Sequence, residues 1–186
     1  MSAKVDPLLT IADLDALPDD DNRYEIFEGE LFVSRAPSLS HQRILVSLVG
    51  LLLDYLKRNP IGEVIPTPGV IFDESNSAIP DIVFLTNQQV GNVGSGERIY
   101  EAPALAIEIV SPGRENARRD REIKRQVYGK HGVKEYWIAD PEKRALEIYR
   151  LERHTLKLVA TLLDEDEITT PMLLGFSCKA NQIFGK

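Results

Sequence analysis

Leu105-Ala106-Ile107-Glu108-Ile109-Val110-Ser111-Pro112-Gly113 is the stretch that decides the architecture. Its apolar residues occupy both alternating faces, interrupted by one carboxylate. That pattern predicts a strand covered on both sides, in the middle of a mixed sheet. Ser111-Pro112-Gly113 ends it, and a helix from about Asn116 to Lys130 follows, closed by His131-Gly132. Three alternating runs come next, Glu135 to Ala139, Ala145 to Leu151 and Leu156 to Leu162, with Asp140-Pro141 in the first turn.

Upstream, Thr10 and Asp13 have capping-box spacing and open a short helix, Ile11 to Leu17, which Pro18 and Asp19 to Asp21 terminate. Tyr24 to Phe27 and Leu31 to Val33 flank a glycine turn as in a hairpin. Ser40 is placed to cap a helix from His41 to Arg58. Its residues Ile44, Leu45, Leu48, Leu51, Leu52, Tyr55 and Leu56 recur at helical spacing. Val64-Ile65, Val70 to Phe72 and Ile79 to Leu85 read as strands, and Gly91 to Gly96 as a mobile loop. Strands, a crossover helix and further strands predict a single α/β or α+β sheet domain over residues 1–186. A helix and hairpin occupy 10–34, the core 40–162 and a C-terminal extension 163–186.

Composition agrees with a globular domain: of 186 residues, 43% are hydrophobic and 27% charged. The net charge of −7 repels nucleic acid unless basic groups gather locally. Cys178 is the only cysteine, so neither an internal disulfide nor a zinc spacing arises. The N-terminus is acidic where a secretory signal would be basic. Ile44 to Leu56, broken by Ser47, Gly50 and Asp54, falls short of the ~20 residues that span a bilayer. A cytoplasmic protein without membrane association is expected.

Three residues stand out chemically. Glu108 places a carboxylate inside an apolar strand, where an unpaired charge is costly, unless the strand end reaches solvent. Asp81 follows Pro80 at the head of a strand, a position that also suits plain turn chemistry. Advancing 100° per residue from Asp120, Lys124 falls at about 40°, in the sector of Ile123, Val127 and Tyr128. It faces the core there, unless Asp120 and Lys124 merely form a pair at the helix margin. Two carboxylates and a lysine directed at one sheet can hold Mg²⁺ or Mn²⁺ and polarise a phosphodiester. Around Lys124, Arg114, Arg118, Arg121 and Arg125 make the stretch net positive, suited either to backbone phosphates or to a solvated mixed-charge face.

Pro80-Asp81, Glu108 to Pro112, Asp120 to Lys124, Gly132 to Trp137 and Asp140-Pro141 together resemble the Uma-type restriction-endonuclease family, formerly known as a domain of unknown function. Tyr24 to Glu30 and His41 match its N-terminal signature, and the likeness runs from about Leu14 to Leu174. That family is similar to the PD-(D/E)XK nucleases. The resemblance implies an α/β restriction-endonuclease-like core, a mixed central sheet flanked by helices, with Asp81 as the motif aspartate, Glu108 as the second acid and the Ile109 carbonyl as a further metal ligand. Glu25, His41 and Asp120 would be supporting groups. One departure stands out: Val110 occupies the usual lysine position, which makes Lys124 a migrated substitute. The expected activity is Mg²⁺-dependent (or Mn²⁺-dependent) endonucleolytic cleavage of DNA by a homodimer. The alternatives are a catalytically inactive nuclease-fold module for nucleic-acid binding or assembly, and a glycoside hydrolase using paired carboxylates.

Overall fold

The computed structural model describes residues 8–94 and 96–185. Helix α1 (Ile11–Asp15) precedes the hairpin β1 (Arg23–Phe27) and β2 (Glu30–Ser34), then α2 (Leu39–Arg58). Strands β3 (Gly62–Pro66), β4 (Val70–Asp73), β5 (Asn76–Ala78) and β6 (Ile82–Thr86) lead to α3 (Asn87–Val93) and β7 (Leu105–Ile109). The crossover runs through α4 (Arg114–Arg118), a π-helical segment Arg119–Lys124 and α5 (Arg125–His131). Then come β8 (Glu135–Asp140), β9 (Ala145–Glu152), β10 (Thr155–Leu163), β11 (Glu167–Thr169), β12 (Ser177–Lys179) and α6 (Asn181–Phe184).

The main sheet has the order β10-β9-β8-β7-β6-β3. Its β7–β8 pair is parallel and its other pairs are antiparallel, because only those two strands are joined by the helical crossover. A second sheet, β2-β1-β5-β4, is antiparallel throughout. Alternation along β7 sends Leu105, Ile107 and Ile109 to one face of the main sheet, where Ile44, Leu48 and Leu52 of α2 cover them. Ala106 and Val110 go to the opposite face, against Val127 and Tyr128 of α5. Phe27 and Ala78 of the second sheet join that cluster, so both sheets and the crossover helix share one core. Each fully buried Leu or Ile there contributes roughly 1.5–3 kcal/mol of transfer free energy.

Several sequence boundaries move. Ser38 caps α2 rather than Ser40: its side chain accepts from the His41 N–H at 3.3 Å, while its Oγ lies 2.9 Å from Ser40 Oγ. The run Ile79 to Leu85 is not one strand. Pro80 has no N–H for a ladder, so the chain leaves the second sheet after β5 and enters the main sheet at β6. Asp81 sits at that change of sheet. The loop expected over 91–96 is helical through Val93, since Thr86 and Gln89 form a capping box and Gly94 (φ 58°) ends the helix. The crossover helix begins at Arg114, and Gly132 (φ 92°) closes it in the left-handed conformation. Residues expected as a C-terminal extension pack inward, with Ile168, Leu173, Phe176, Cys178 and Ile183 in the α2-side core. Among the described residues, no helix is long and apolar enough to cross a membrane.

Candidate active site

Five segments meet at one small cavity on the crossover side of β7. They deliver Glu25 from β1, His41 from the first turn of α2, Asp81 from the change of sheet, Glu108 from β7, and Asp120 and Lys124 from the π-helical turn. Each of these side chains belongs to a residue only 2–5% exposed. The alternatives in which Glu108 reaches solvent, or Lys124 snorkels at a helix margin, therefore do not hold.

Lys124 Nζ donates to Glu108 Oε1 at 3.0 Å, makes an ion pair with Glu25 Oε1 at 2.9 Å and lies 4.0 Å from Asp120 Oδ1. Glu108 Oε1 also accepts from the Tyr128 hydroxyl at 2.7 Å. Asp81 Oδ2 accepts from the Ile109 N–H at 2.8 Å and lies 3.0 Å from His41 Nε2. Glu25 Oε1 accepts from the Ile79 N–H at 2.8 Å, which ties the hairpin to the residue ahead of Pro80. Phasing at 100° per residue directs Asp120 and Lys124 inward, and both are buried, although the turn between them is π-helical. The Tyr136 hydroxyl donates to the Asp120 carbonyl at 3.0 Å. A side chain inserted into the helical ladder in this way is a recognised cause of such irregularity.

The electrostatics are lopsided. Glu25, Asp81, Glu108 and Asp120 face a single buried ammonium. Burial pushes the Glu108 carboxyl well above its usual range, against the pull of Lys124, and the neighbouring carboxylates add to the rise. Burial likewise raises Asp120, to about 6, opposed by Lys124 and Arg119. Burial works against the Lys124 ammonium, yet Glu108, Glu25 and Asp120 outweigh it and keep the lysine charged. Asp120 Oδ1 is buried without a hydrogen bond. The cavity measures about 40 Å³, room for a small ion with a few waters but not for a sugar ring.

This donor set fits a hard divalent cation. Among the described residues, no three His, Cys, Asp or Glu side chains converge to hold a metal by themselves. Mg²⁺ does not require three, because it usually takes one or two carboxylates and retains several waters. The crowding of four carboxylates around Lys124 and the unpartnered Asp120 oxygen are what such a cation would relieve.

The basic residues divide differently from the sequence expectation. Arg121, expected on DNA, donates through Nε to Glu147 and through Nη2 to Glu147 and to Asp140 at 2.7 Å, bracing β8 and β9. Arg118 pairs with Glu122, and the Arg125 guanidinium lies 5.4 Å from the Tyr149 ring centroid. Arg114 lines an open groove of about 500 Å³ that shares Ser111 with the acidic cavity. Arg23, Arg35 and Arg119, which periodicity does not single out, line the cavity itself. Arg119 falls about 100° from Asp120 in a regular helix and stands at the first position of the π-helical turn.

The sequence matches the Uma2 family, described as "Putative restriction endonuclease", over residues 11–181. The chain belongs to that family. Among solved structures it is similar to "a putative nuclease belonging to DUF820" from Anabaena variabilis, with a TM-score of 0.77 and 18% identity. The superposition covers 95% of this chain and 97% of the other, so the whole fold is shared. No curated protein matches the chain. Membership of Uma2 agrees with the resemblance drawn from Pro80-Asp81, Glu108 and the later motifs, and it supports a nuclease-like function.

Proposed function

We propose that this Uma2 protein is a divalent-metal-dependent endonuclease that hydrolyses DNA phosphodiester bonds, with Asp81, Glu108 and Lys124 as its reaction centre. The observation that carries the reading is the burial of Lys124 against Glu108 in a cavity that Asp81 also lines. Asp81 Oδ1 and Glu108 Oε2 accept no hydrogen bond among the described residues, so these oxygens, with the Ile109 carbonyl, would hold Mg²⁺ or Mn²⁺. When bound, such an ion supplies charge neutralisation at the phosphate and an acidified water.

The chain's own groups supply the positioning. The Ile109 N–H and His41 fix the Asp81 carboxylate at the end of β7. Tyr128 and Lys124 fix one oxygen of Glu108 and leave the other toward the cavity. Lys124, held charged by its carboxylate neighbours, would orient an attacking water through a hydrogen bond or stabilise the charge that develops on a phosphate oxygen. It enters from the helix in place of Val110, which is buried in the apolar cluster. Glu25, ion-paired at 2.9 Å, and Asp120, at 4.0 Å, would help to hold the lysine in place.

The open groove beside the cavity offers Arg114 to the strand beyond the scissile bond. Two copies related by a two-fold axis would suit a two-stranded substrate. A free, buried Cys178 is compatible with a reducing compartment, as for a cytoplasmic enzyme.

Incubating supercoiled and linear DNA with the protein in Mg²⁺, Mn²⁺ or EDTA tests the reading. Nicked or linear product is expected with either metal, and at least a 100-fold slower reaction in EDTA. Equal cleavage in EDTA removes the metal-dependent mechanism. DNA binding without cleavage in any metal favours the non-catalytic alternative.

A further inference from the structure

We propose that Arg23, Arg35 and Arg119 form a guanidinium clamp at the mouth of the acidic cavity, which grips a phosphate group of a polynucleotide strand. The inference rests on the phosphodiester reading above and assigns the groups that would seat the strand. Arg119 comes from the crossover helix and is only partly exposed, while its Nε is fully buried and makes no hydrogen bond. Its nearest carboxylate oxygen, Asp120 Oδ1, lies at 3.8 Å, beyond hydrogen-bond reach. Arg23 pairs across the hairpin with Ser34, and Arg35 is the next residue, so the open end of the hairpin carries both guanidiniums to the same mouth. Arg23 stands 4.0 Å from Asp81 Oδ1, again too far for a hydrogen bond.

Arg121 provides the contrast. Its donors are engaged at 2.7–3.2 Å with two carboxylates, the geometry of a structural arginine. Arg23 and Arg119, by contrast, make only loose ion pairs with their acids, at 4.0 and 3.8 Å, without a hydrogen bond to them. A guanidinium offers five donors in a planar fork, and a tetrahedral phosphate matches that fork through two oxygens at once. Next to an acidic centre, such a clamp would also offset the repulsion between the phosphate and the carboxylates beneath it.

Binding of a fluorescein-labelled DNA duplex in EDTA, followed by anisotropy from low to high salt, tests this without requiring cleavage. Arg119→Met is expected to weaken binding about tenfold and to lower the slope of log affinity against log salt by roughly one. Arg119→Lys should regain the slope but only part of the affinity, because it restores charge without the fork. Arg35→Ala, at an exposed position, gives the same readout should Arg119→Met fold poorly. Arg58→Ala, at the far end of α2, should behave as the unaltered protein. Unchanged slope and affinity in Arg23→Ala, Arg35→Ala and Arg119→Met overturn the clamp, as does a wild-type protein that fails to bind DNA at low salt. Wild-type cleavage in Mn²⁺ is scored separately: cleavage with insensitive arginine variants sinks the clamp alone, whereas sensitive binding without cleavage sinks only the nuclease reading.

Discussion

Lys124→Met is expected to destabilise the fold by about 3–5 kcal/mol, the usual cost of removing one partner from a buried ionic network. For a chain of this size that corresponds to a fall in Tm of roughly 6–20 °C. The methionine fills most of the volume, so the loss is electrostatic: Glu25 and Glu108, bonded to the ammonium at 2.9 and 3.0 Å, keep their burial and lose their neutraliser. Thermal and urea denaturation check this. The double variant Lys124→Met/Glu25→Gln should recover part of the loss, since it removes one stranded charge along with its partner. A Lys124→Met protein as stable as the wild type would mean that the carboxylates are not ionised around this lysine.

Asp81→Asn should leave stability within about 1 kcal/mol while lowering DNA cleavage by about 10²–10³-fold. The amide oxygen can still accept from the Ile109 N–H, and removing one negative charge eases the crowding around Glu108. What disappears is the carboxylate that would bind the proposed cation. Steady-state cleavage rates measured beside melting curves separate the two effects. His41→Ala, which removes the 3.0 Å contact to Asp81, should cost about tenfold in rate. If Asp81→Asn cleaved at the wild-type rate, the site would lie elsewhere.

The two outcomes together separate a scaffold from a reaction centre. Lys124 is bonded to Glu25 and Glu108 and would matter to both folding and chemistry, whereas Asp81 is held mainly by one backbone N–H and one histidine. Selective loss of cleavage in Asp81→Asn, alongside broad loss in Lys124→Met, is the pattern that this geometry predicts.

Periodicity carries the reading of the fold where an element buries one clear face. The two-sided apolar run of β7, the alternation of β9 and β10, and the 3.6-residue recurrence on α2 are all visible before any coordinates. It fails where a single atom decides the path. Pro80 withholds one hydrogen bond and sends the chain from one sheet to another, so a continuous run from Ile79 to Leu85 becomes a break that presents Asp81. The capping box of Thr86 and Gln89 was present in the sequence, hidden behind the glycines that follow it.

The site is legible to a similar extent. Glu108 is conspicuous because a carboxylate in an apolar strand needs a partner, and helical phasing turns Lys124 toward it. The pocket arginines are not legible in this way. Arg119 lies about 100° from Asp120 by helical phasing, outside the inward sector, and Arg23 and Arg35 arrive through tertiary packing of a hairpin far away in the sequence. The same tertiary packing diverts Arg121 to Asp140 and Glu147.

Crystals of the protein soaked in Mn²⁺ and measured for anomalous scattering test the central claim most directly. A single peak coordinated by Asp81 and Glu108, beside the Lys124 ammonium, is the predicted result. No peak in the cavity, with Lys124 still bonded to Glu25 and Glu108 at saturating Mn²⁺, would contradict it.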